Sequence, residues 1–471
     1  MVGDGARENA IAEGLMRSER SYRVYAFSSY RNPGIDEIVR STGGSYHIGD
    51  VNSPEEVKQV VGQVSPDLVV IGPEEPLFRG VSDAVRELGV PVLGASSKCS
   101  MVERSKVWMR ELMWKYSIPG RLRFRGFRSV EEAASFISEY GASVAVKPAE
   151  QVGGKGVKVA ADLQAYLTQE KRSALSKGVK EVASLIKEGY KVIIEERVFG
   201  PEYTLHVITD GKSHLALPLA QDYKHAYANG IGPETGGMGS ISGPGMLLPF
   251  INEEEFMGTF EIVKATTDAI KRETGEEYSG ILAGQMMLTT LWGPTVIEYY
   301  SRLGDPEASA ILPRIDGDLG ELFEYAATGR LSRVSLAVNE ERSVVWALAP
   351  RGYPLNRAMA SGHRVSMDLS KMREIGCRVY FGSISLEGMS LVTRGSRALE
   401  IEAEGDDAVE KLERCVSLVS SEVKLIYRPE IGRNLEEQVR LSESVRYAYK
   451  LRERNNTLGV SVNWSPKSGE F

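Results

Sequence analysis

Short β-branched runs alternate with helical stretches through the first hundred residues, and this alternation is what most narrows the possible folds. Arg23 to Phe27, Leu68 to Ile71 and Val90 to Leu93 read as strands, while Pro54 to Gln63 and Val81 to Leu88 read as helices. A βα alternation of this kind folds as a parallel, doubly wound sheet. Such a sheet ordinarily opens with a full apolar strand, yet only Met1 and Val2 precede Gly3, so the first strand is either stunted or begins upstream.

The pattern changes near Glu103. A helix through Tyr116, a break at Ile118-Pro119-Gly120, a helical Val130 to Tyr140 and a strand Ser143 to Lys147 lead into a glycine-rich turn. Ala161 to Tyr190 reads as an exposed helical scaffold that ends at the strand Lys191 to Ile194. Strands at Glu202 to Ile208, His214 to Pro218 and Thr295 to Tyr299, with a helix Glu253 to Lys271, complete an α+β core. Val344 to Leu348, Arg378 to Phe381 and Ala398 to Ala403, followed by a helix Asp406 to Ser420, suggest a third compact unit. The stretch from Asn434 to Phe471 starts helical, and its end reads as frayed or loosely docked.

Length and charge exclude several classes. A chain of 471 residues exceeds what one core organises, so two to four domains are expected. A net charge of −7 with no sustained basic patch argues against nucleic-acid partners. No apolar run reaches the ~18 residues of a membrane span, and the N-terminus lacks the features of a signal peptide. Cys99, Cys377 and Cys415 are odd in number and far apart, which reads as neither a disulfide framework nor a metal site and suits a reducing cytoplasm.

The chemistry rests on a few stretches. Lys147 ends an apolar strand and is followed by Gly153-Gly154-Lys155-Gly156, so two ammonium groups flank a backbone that can approach phosphates closely. The Walker spacing is absent, and a glycine turn between two exposed lysines is the equal local alternative. Glu195 and Glu196 close the strand Val192-Ile193-Ile194, where a carboxylate can accept from an adenine amino group; Glu202, six residues beyond, suits ribose hydroxyls. Gln285 and Glu298 can lie on adjacent strands and offer two oxygens to one magnesium ion, which prefers hard donors. Gln221-Asp222-Tyr223-Lys224 and Thr235-Gly236-Gly237-Met238-Gly239 read as loops able to close over a reactive intermediate, or as plain surface loops. The five histidines show no metal-ligand spacing, and no serine or cysteine sits in a nucleophile setting.

Taken in order, these motifs resemble the phosphoribosylamine-glycine ligases of the ATP-grasp superfamily, from Gly3 to about Gly432. The landmarks are Gly3-Asp4-Gly5-Ala6-Arg7-Glu8-Asn9-Ala10, Gly72-Pro73-Glu74-Glu75-Pro76-Leu77, Ser105-Lys106, Gly154-Lys155-Gly156-Val157, Gln221-Asp222, Thr235 to Gly239, and Arg302 through Glu307. One such motif is weak; seven in the same order are specific. The family's Glu-x-Asn stands here as Glu298-Tyr299-Tyr300.

The resemblance implies an α/β and α+β protein: a doubly wound pre-ATP-grasp domain (1–101), a split ATP-grasp domain (102–333, with a mobile subdomain at about 120–198), a small α/β C-terminal domain (334–432) and an extension (433–471). It implies ATP with Mg2+ or Mn2+, and glycine and 5-phosphoribosylamine as substrates, joined through a glycyl phosphate in purine biosynthesis. Lys106, Lys147 and Lys155 would hold ATP phosphates, Glu195, Glu196 and the backbone near Val198 the adenine, and Glu202 the ribose. Gln285 and Glu298 would bind the metal. Arg302 and Asp305, with Lys155, would serve the reacting acyl end; Gly3, Gly5, Arg7, Gly72, Pro73 and Glu74 would face phosphoribosylamine, and Asp222 and Gly237 would complete the substrate site. A cytoplasmic monomer or weak homo-oligomer is expected, with no membrane partner. The second reading is a degenerate ATP-grasp paralogue that binds nucleotide without turnover, suggested by Tyr300 and the short N-terminus.

Overall fold

The computed structural model describes residues 1–129, 131–133, 136, 144–150, 189–433 and 435–460. Its N-terminal part holds two parallel pairs, β1 (Ala26–Ser28) with β2 (Tyr46–Ile48) and β3 (Val69–Val70) with β4 (Val92–Leu93). Val2 joins them by bridging both Phe27 and Ile71 in parallel. Two residues thus serve as the central strand: Val2 N–H donates to Val70 O at 2.9 Å and Gly3 N–H to Phe27 O at 3.0 Å. The paired segments are shorter than the β-branched runs, because Arg23 to Tyr25 precede the ladder and Tyr25 O instead accepts from the N-terminal ammonium at 2.8 Å.

Helices here start where local chemistry starts them. In α1 (Ala6–Met16), Glu8 reaches back to Gly5 N–H at 2.6 Å. Asn32 and Ser53 cap α2 (Pro33–Ser41) and α3 (Pro54–Val64), each with proline in the first turn. Helices α4 (Glu74–Phe78) and α5 (Val81–Arg86) follow, and Val57, Val61, Val69, Val81, Val85 and Val92 bury together.

The single helix expected from Glu103 to Tyr116 is two, α6 (Met101–Arg104) and α7 (Lys106–Lys115). Ser105 adopts an extended conformation between them, and its hydroxyl accepts from Trp108 N–H at 3.3 Å. Lys106 consequently opens a helix, with its N–H on Ala149 O at 2.9 Å. Beyond it, β5 (Phe124–Phe127), β6 (Val144–Pro148) and β7 (Val192–Glu196) form a small antiparallel sheet ordered β5-β7-β6. Most of the expected helix Val130 to Tyr140, nearly all of Ala161 to Tyr190, and Gly153 to Val157 lie outside the described residues.

Beside a four-stranded antiparallel sheet in the C-terminal part, a ten-stranded antiparallel sheet carries most of the rest. Its strands include β8 (Glu202–Asp210), β9 (His214–Ala216), β10 (Ala220–Asp222), and, past a hairpin of β11 (His225–Tyr227) and β12 (Ile231–Glu234), β13 (Gly239–Ser242), β14 (Ser279–Thr289) and β15 (Gly293–Tyr300). The helix α8 (Glu253–Thr274) packs on it, opened by a reciprocal Asn252–Glu255 cap and closed by left-handed Gly275. Strands β16 (Ser343–Pro350), β17 (Cys377–Phe381) and β18 (Leu399–Glu404) extend the same sheet through the β13–β16 pairing.

One finding corrects an expectation. Cys377 of β17 and Cys415 of α10, the helix Ala408–Val416 that follows α9 (Glu307–Ile311), form a disulfide across 38 residues, leaving Cys99 free and buried. Spacing alone could not show it, because the pair meets only once the helix folds back on its strand. The C-terminal stretch is docked through residue 460: on α11 (Leu435–Arg454), Arg446 grips both Glu255 oxygens at 2.7 Å and Phe250 O at 2.7 Å, and Val445 is buried. Residues 461–471 lie outside the described residues.

Candidate active site

The register of β14 and β15 sets Gln285 directly opposite Glu298, as the sequence pattern anticipated, with a bulge just after Gln285. Three lysines approach this pair from different elements. Lys106, at the start of α7, and Lys147, on β6, each place Nζ 3.8 Å from Glu298 Oε1, near but beyond hydrogen-bond length. Lys106 is buried. Burial opposes the charge on Lys147, and Glu195 and Glu298 more than restore it, so its pKa is raised; Glu298 is held below its usual range by Lys106, Lys147 and Lys224 against its own burial. Both signs of charge therefore persist at neutral pH.

Glu195 supports this arrangement rather than facing a ligand with its side chain. Its carboxylate accepts from Arg110 Nε at 2.7 Å and lies 3.1 Å from Lys147 Nζ. Burial pushes Glu195 up, but Arg110 and Lys147 win and bring it to about 2. Arg110, fully buried, also donates to Val296 O at 2.9 Å and Ile297 O at 3.0 Å, which ties α7 to β15. Glu196 is likewise engaged, by Arg123 N–H at 2.8 Å and by Trp292 Nε1 at 3.4 Å. Ion pairs thus engage both carboxylates, and β7 is itself the central strand of its sheet, paired on one side with β5 and on the other with β6.

Lys224 is the third cation. Its Nζ donates to Gln285 Oε1 at 2.8 Å and to the Tyr300 hydroxyl at 3.2 Å, and pairs with Asp222 at 2.9 Å. The Tyr300 hydroxyl donates to the same Gln285 oxygen. Burial drives the phenol pKa far upward, so it remains a proton donor. Gln285 Nε2 donates to Glu202 Oε2 at 3.1 Å, while both lone pairs of its oxygen are taken. A divalent cation needs an oxygen with a free lone pair. Glu298 meets that requirement and Gln285, as arranged, does not.

A further cluster surrounds Arg302. Its Nε donates to Glu74 at 3.2 Å, its Nη2 lies 3.4 Å from Glu103, and its guanidinium sits 4.5 Å over the Tyr300 ring. Burial lifts Glu103 to about 7, with Glu74 adding to the rise and Arg302 opposing it. Asp305 is brought to about 2: burial raises it, and Arg397 chiefly overcomes that. Neutral His206, lowered to about 3 by burial and then by Arg302, accepts Gly304 N–H at 2.9 Å and so positions the Asp305 turn.

Gly3, Gly5 and Gly72 converge on Glu8, and Pro73 closes against Gly3. A side chain at Gly72 would overlap Glu8 Oε1, and one at Gly3, whose φ is +126°, would meet Glu8 and Pro73. Arg7 is turned inward, bonded to Glu8 at 2.7 Å and Leu303 O at 3.1 Å, so it ties the glycine turn to the Arg302 loop. The Thr235 to Gly239 stretch is packed: Met238 is fully buried, Thr235 Oγ1 donates to Lys224 O at 2.6 Å, and Arg397 Nη1 donates to Gly237 O at 2.9 Å. Lys155 lies outside the described residues.

Lys224, Arg110, Glu103, His206 and Arg397 were missed by sequence reasoning as individual residues. Lys224 had a signal, a charge beside an apolar strand in a stretch already singled out. Arg110 had a weaker one, a cation one helical turn after Lys106 among the apolar residues Val107, Met109, Leu112 and Met113. Arg397 had none, since its partners are far away in the chain.

Comparison with known proteins follows the same geography. The phosphoribosylglycinamide synthetase N-domain model matches residues 1–103, and the model of that synthetase's ATP-grasp (A) domain matches residues 104–308. A phosphoribosylamine–glycine ligase of Methanopyrus kandleri is 40% identical over 95% of this chain and 98% of its own length. That of Thermococcus gammatolerans is 38% identical over 94% and 96%. Among solved structures, the phosphoribosylamine–glycine ligase of Thermotoga maritima superposes with a TM-score of 0.69 at 24% identity, covering 91% of this chain and 98% of that one. The biotin carboxylase domain of a Hydrogenobacter thermophilus carboxylase, solved with MgADP and bicarbonate, gives 0.65 at 14% identity, covering 98% of both. The fold is ATP-grasp.

Proposed function

The chain belongs to the phosphoribosylglycinamide synthetase family, and from that premise we propose how its residues divide the work of the reaction. It is a carbon–nitrogen ligase that joins glycine to 5-phosphoribosylamine in purine biosynthesis, yielding glycinamide ribonucleotide. ATP supplies the driving force. A glycine carboxylate oxygen attacks the γ-phosphorus and ADP leaves; the ribosylamine nitrogen then attacks the acyl carbon of glycyl phosphate, and phosphate leaves with that oxygen. Phosphorylation is required because a carboxylate has no leaving group that water or an amine can displace.

Lys106 and Lys147, joined by Lys155, hold the phosphates and reduce the repulsion between two anions. Glu195, Glu196 and the backbone near Val198 hold the adenine and Glu202 the ribose. Arg302 and Asp305 orient glycine and its activated form, with Asp222 and Gly237 at the same end. The turn at Gly3 and Gly5, with Gly72, Pro73 and Glu74, receives phosphoribosylamine. Glu298 is the residue suited to Mg2+ or Mn2+, which when bound screens phosphate charge. No helix among the described residues is long and apolar enough to cross a membrane. We place the enzyme in the cytoplasm, as a monomer or weak homo-oligomer acting on small molecules, and keep the four-part division at residues 101, 333 and 432.

The observation that carries this reading is the convergence of Lys106 and Lys147 on Glu298. Turnover of glycine labelled with 18O in its carboxylate tests it. One labelled oxygen should appear in the released phosphate, and unlabelled phosphate would contradict an acyl phosphate.

A further inference from the structure

Gln285 has a carbonyl oxygen with two lone pairs and an amide nitrogen with two donor hydrogens. The oxygen receives the Lys224 ammonium, at 2.8 Å, and the Tyr300 hydroxyl; the nitrogen donates to Glu202 at 3.1 Å. Rotating the amide by half a turn would set its NH2 against an ammonium, so the environment fixes its orientation. Each donor occupies one lone pair, so Gln285 can ligate a cation only by giving up one of the two. Neither leaves easily. Asp222 anchors Lys224 at 2.9 Å, and Tyr300 is 8% exposed beneath the guanidinium of Arg302 at 4.5 Å. A divalent ion at that oxygen would also stand beside the lysine's positive charge.

Across the ladder, Glu298 is different. Lys106 and Lys147 flank it at 3.8 Å without saturating it.

We propose that the Lys224 ammonium and the Tyr300 hydroxyl act as fixed donors at the Gln285 face of the site, so that this enzyme binds one divalent ion per nucleotide, on Glu298. Lys224 then supplies permanently, as a single charge on a positioned side chain, the cation that a second metal would otherwise bring to this face. Tyr300 is a specificity-determining residue for metal stoichiometry. The proposal rests on the nucleotide-binding reading above.

The test counts Mn2+ bound per bound nucleotide, by paramagnetic resonance of free Mn2+ with saturating β,γ-imido-ATP, while equilibrium dialysis measures nucleotide occupancy separately. Wild type should hold one Mn2+ per nucleotide, Gln285→Ala should still hold one, and Tyr300→Asn, which frees one lone pair of the Gln285 oxygen and adds an amide oxygen beside it, should hold two. Two ions in wild type, loss of an ion in Gln285→Ala, or a single ion in folded Tyr300→Asn would each overturn the proposal. Should Tyr300→Asn not fold, wild type and Gln285→Ala still decide. Absence of nucleotide binding in the dialysis arm would instead refute the nucleotide reading, and the proposal with it.

Discussion

Arg397 and Asp305, 92 residues apart in the chain, meet side chain to side chain at 2.8 Å, and the same guanidinium donates to Gly236 O at 3.2 Å, Gly237 O at 2.9 Å and Asp305 O at 2.9 Å. One planar fork thus clamps the glycine-rich stretch to the turn that carries Asp305. A lysine keeps the charge but cannot serve these acceptors together. Arg397→Lys should lower kcat/KM for glycine by about 10–100-fold, the range expected for losing charge-assisted hydrogen bonds worth about 1.5–3 kcal/mol. Steady-state kinetics with glycine varied would show it; a change under twofold would remove Arg397 from the positioning machinery.

Glu195 is enclosed with Arg110, and removing one member of a buried pair strands the other. Glu195→Gln should cost about 3–5 kcal/mol of stability at pH 7 and raise the KM for ATP, because Lys147 loses its anchor. The carboxyl is held near 2, below its ordinary 4.5, so its stabilising share is present above pH 4.5 and disappears as pH falls toward 2. Urea unfolding of both proteins checks the cost; a loss below about 1 kcal/mol would contradict it.

Glu103 behaves in the opposite sense. Its value in the fold is raised from 4.5 to about 7, so the protonated form is favoured and its contribution, present below pH 4.5, is lost as pH rises through 7. That loss amounts to roughly 3 kcal/mol. Glu103→Gln, which cannot ionise, should gain about that much relative to wild type between pH 4.5 and pH 8. Denaturant unfolding at the two values measures the difference, and a constant gap would contradict the burial-driven shift.

The Cys377–Cys415 bond closes a 38-residue loop, for which chain entropy gives roughly 4 kcal/mol as an upper figure. Thiol titration in denaturant without reductant should find one free cysteine, Cys99. Reduction should lower the melting temperature to that of Cys377→Ser; three free thiols in the native protein would contradict the bond.

Much of the fold was legible because its signals are local. Asn252, Glu255 and Gly275 mark the ends of α8, and two apolar runs separated by Thr290-Leu291-Trp292 fold into the hairpin that sets Gln285 opposite Glu298. What escaped the sequence depends on partners distant along the chain. Lys147 reads as a phosphate ligand from its strand and glycine turn, but nothing local shows that Glu195 will be held by Arg110, 85 residues earlier. The place of Val2 was not legible either, since it pairs with Phe27 on one side and Ile71 on the other, both distant in the chain. Tyr300 was visible as a departure; that its hydroxyl would share Gln285 with Lys224 was not.

ADP release by the purified protein with ATP and Mg2+, with glycine and freshly generated phosphoribosylamine added singly and together, tests the central claim most directly. Release that requires both substrates, with stoichiometric glycinamide ribonucleotide, is the expected result. ATP binding with no ADP formed under any of these conditions would contradict it, and would mark the protein as a nucleotide-binding paralogue without turnover.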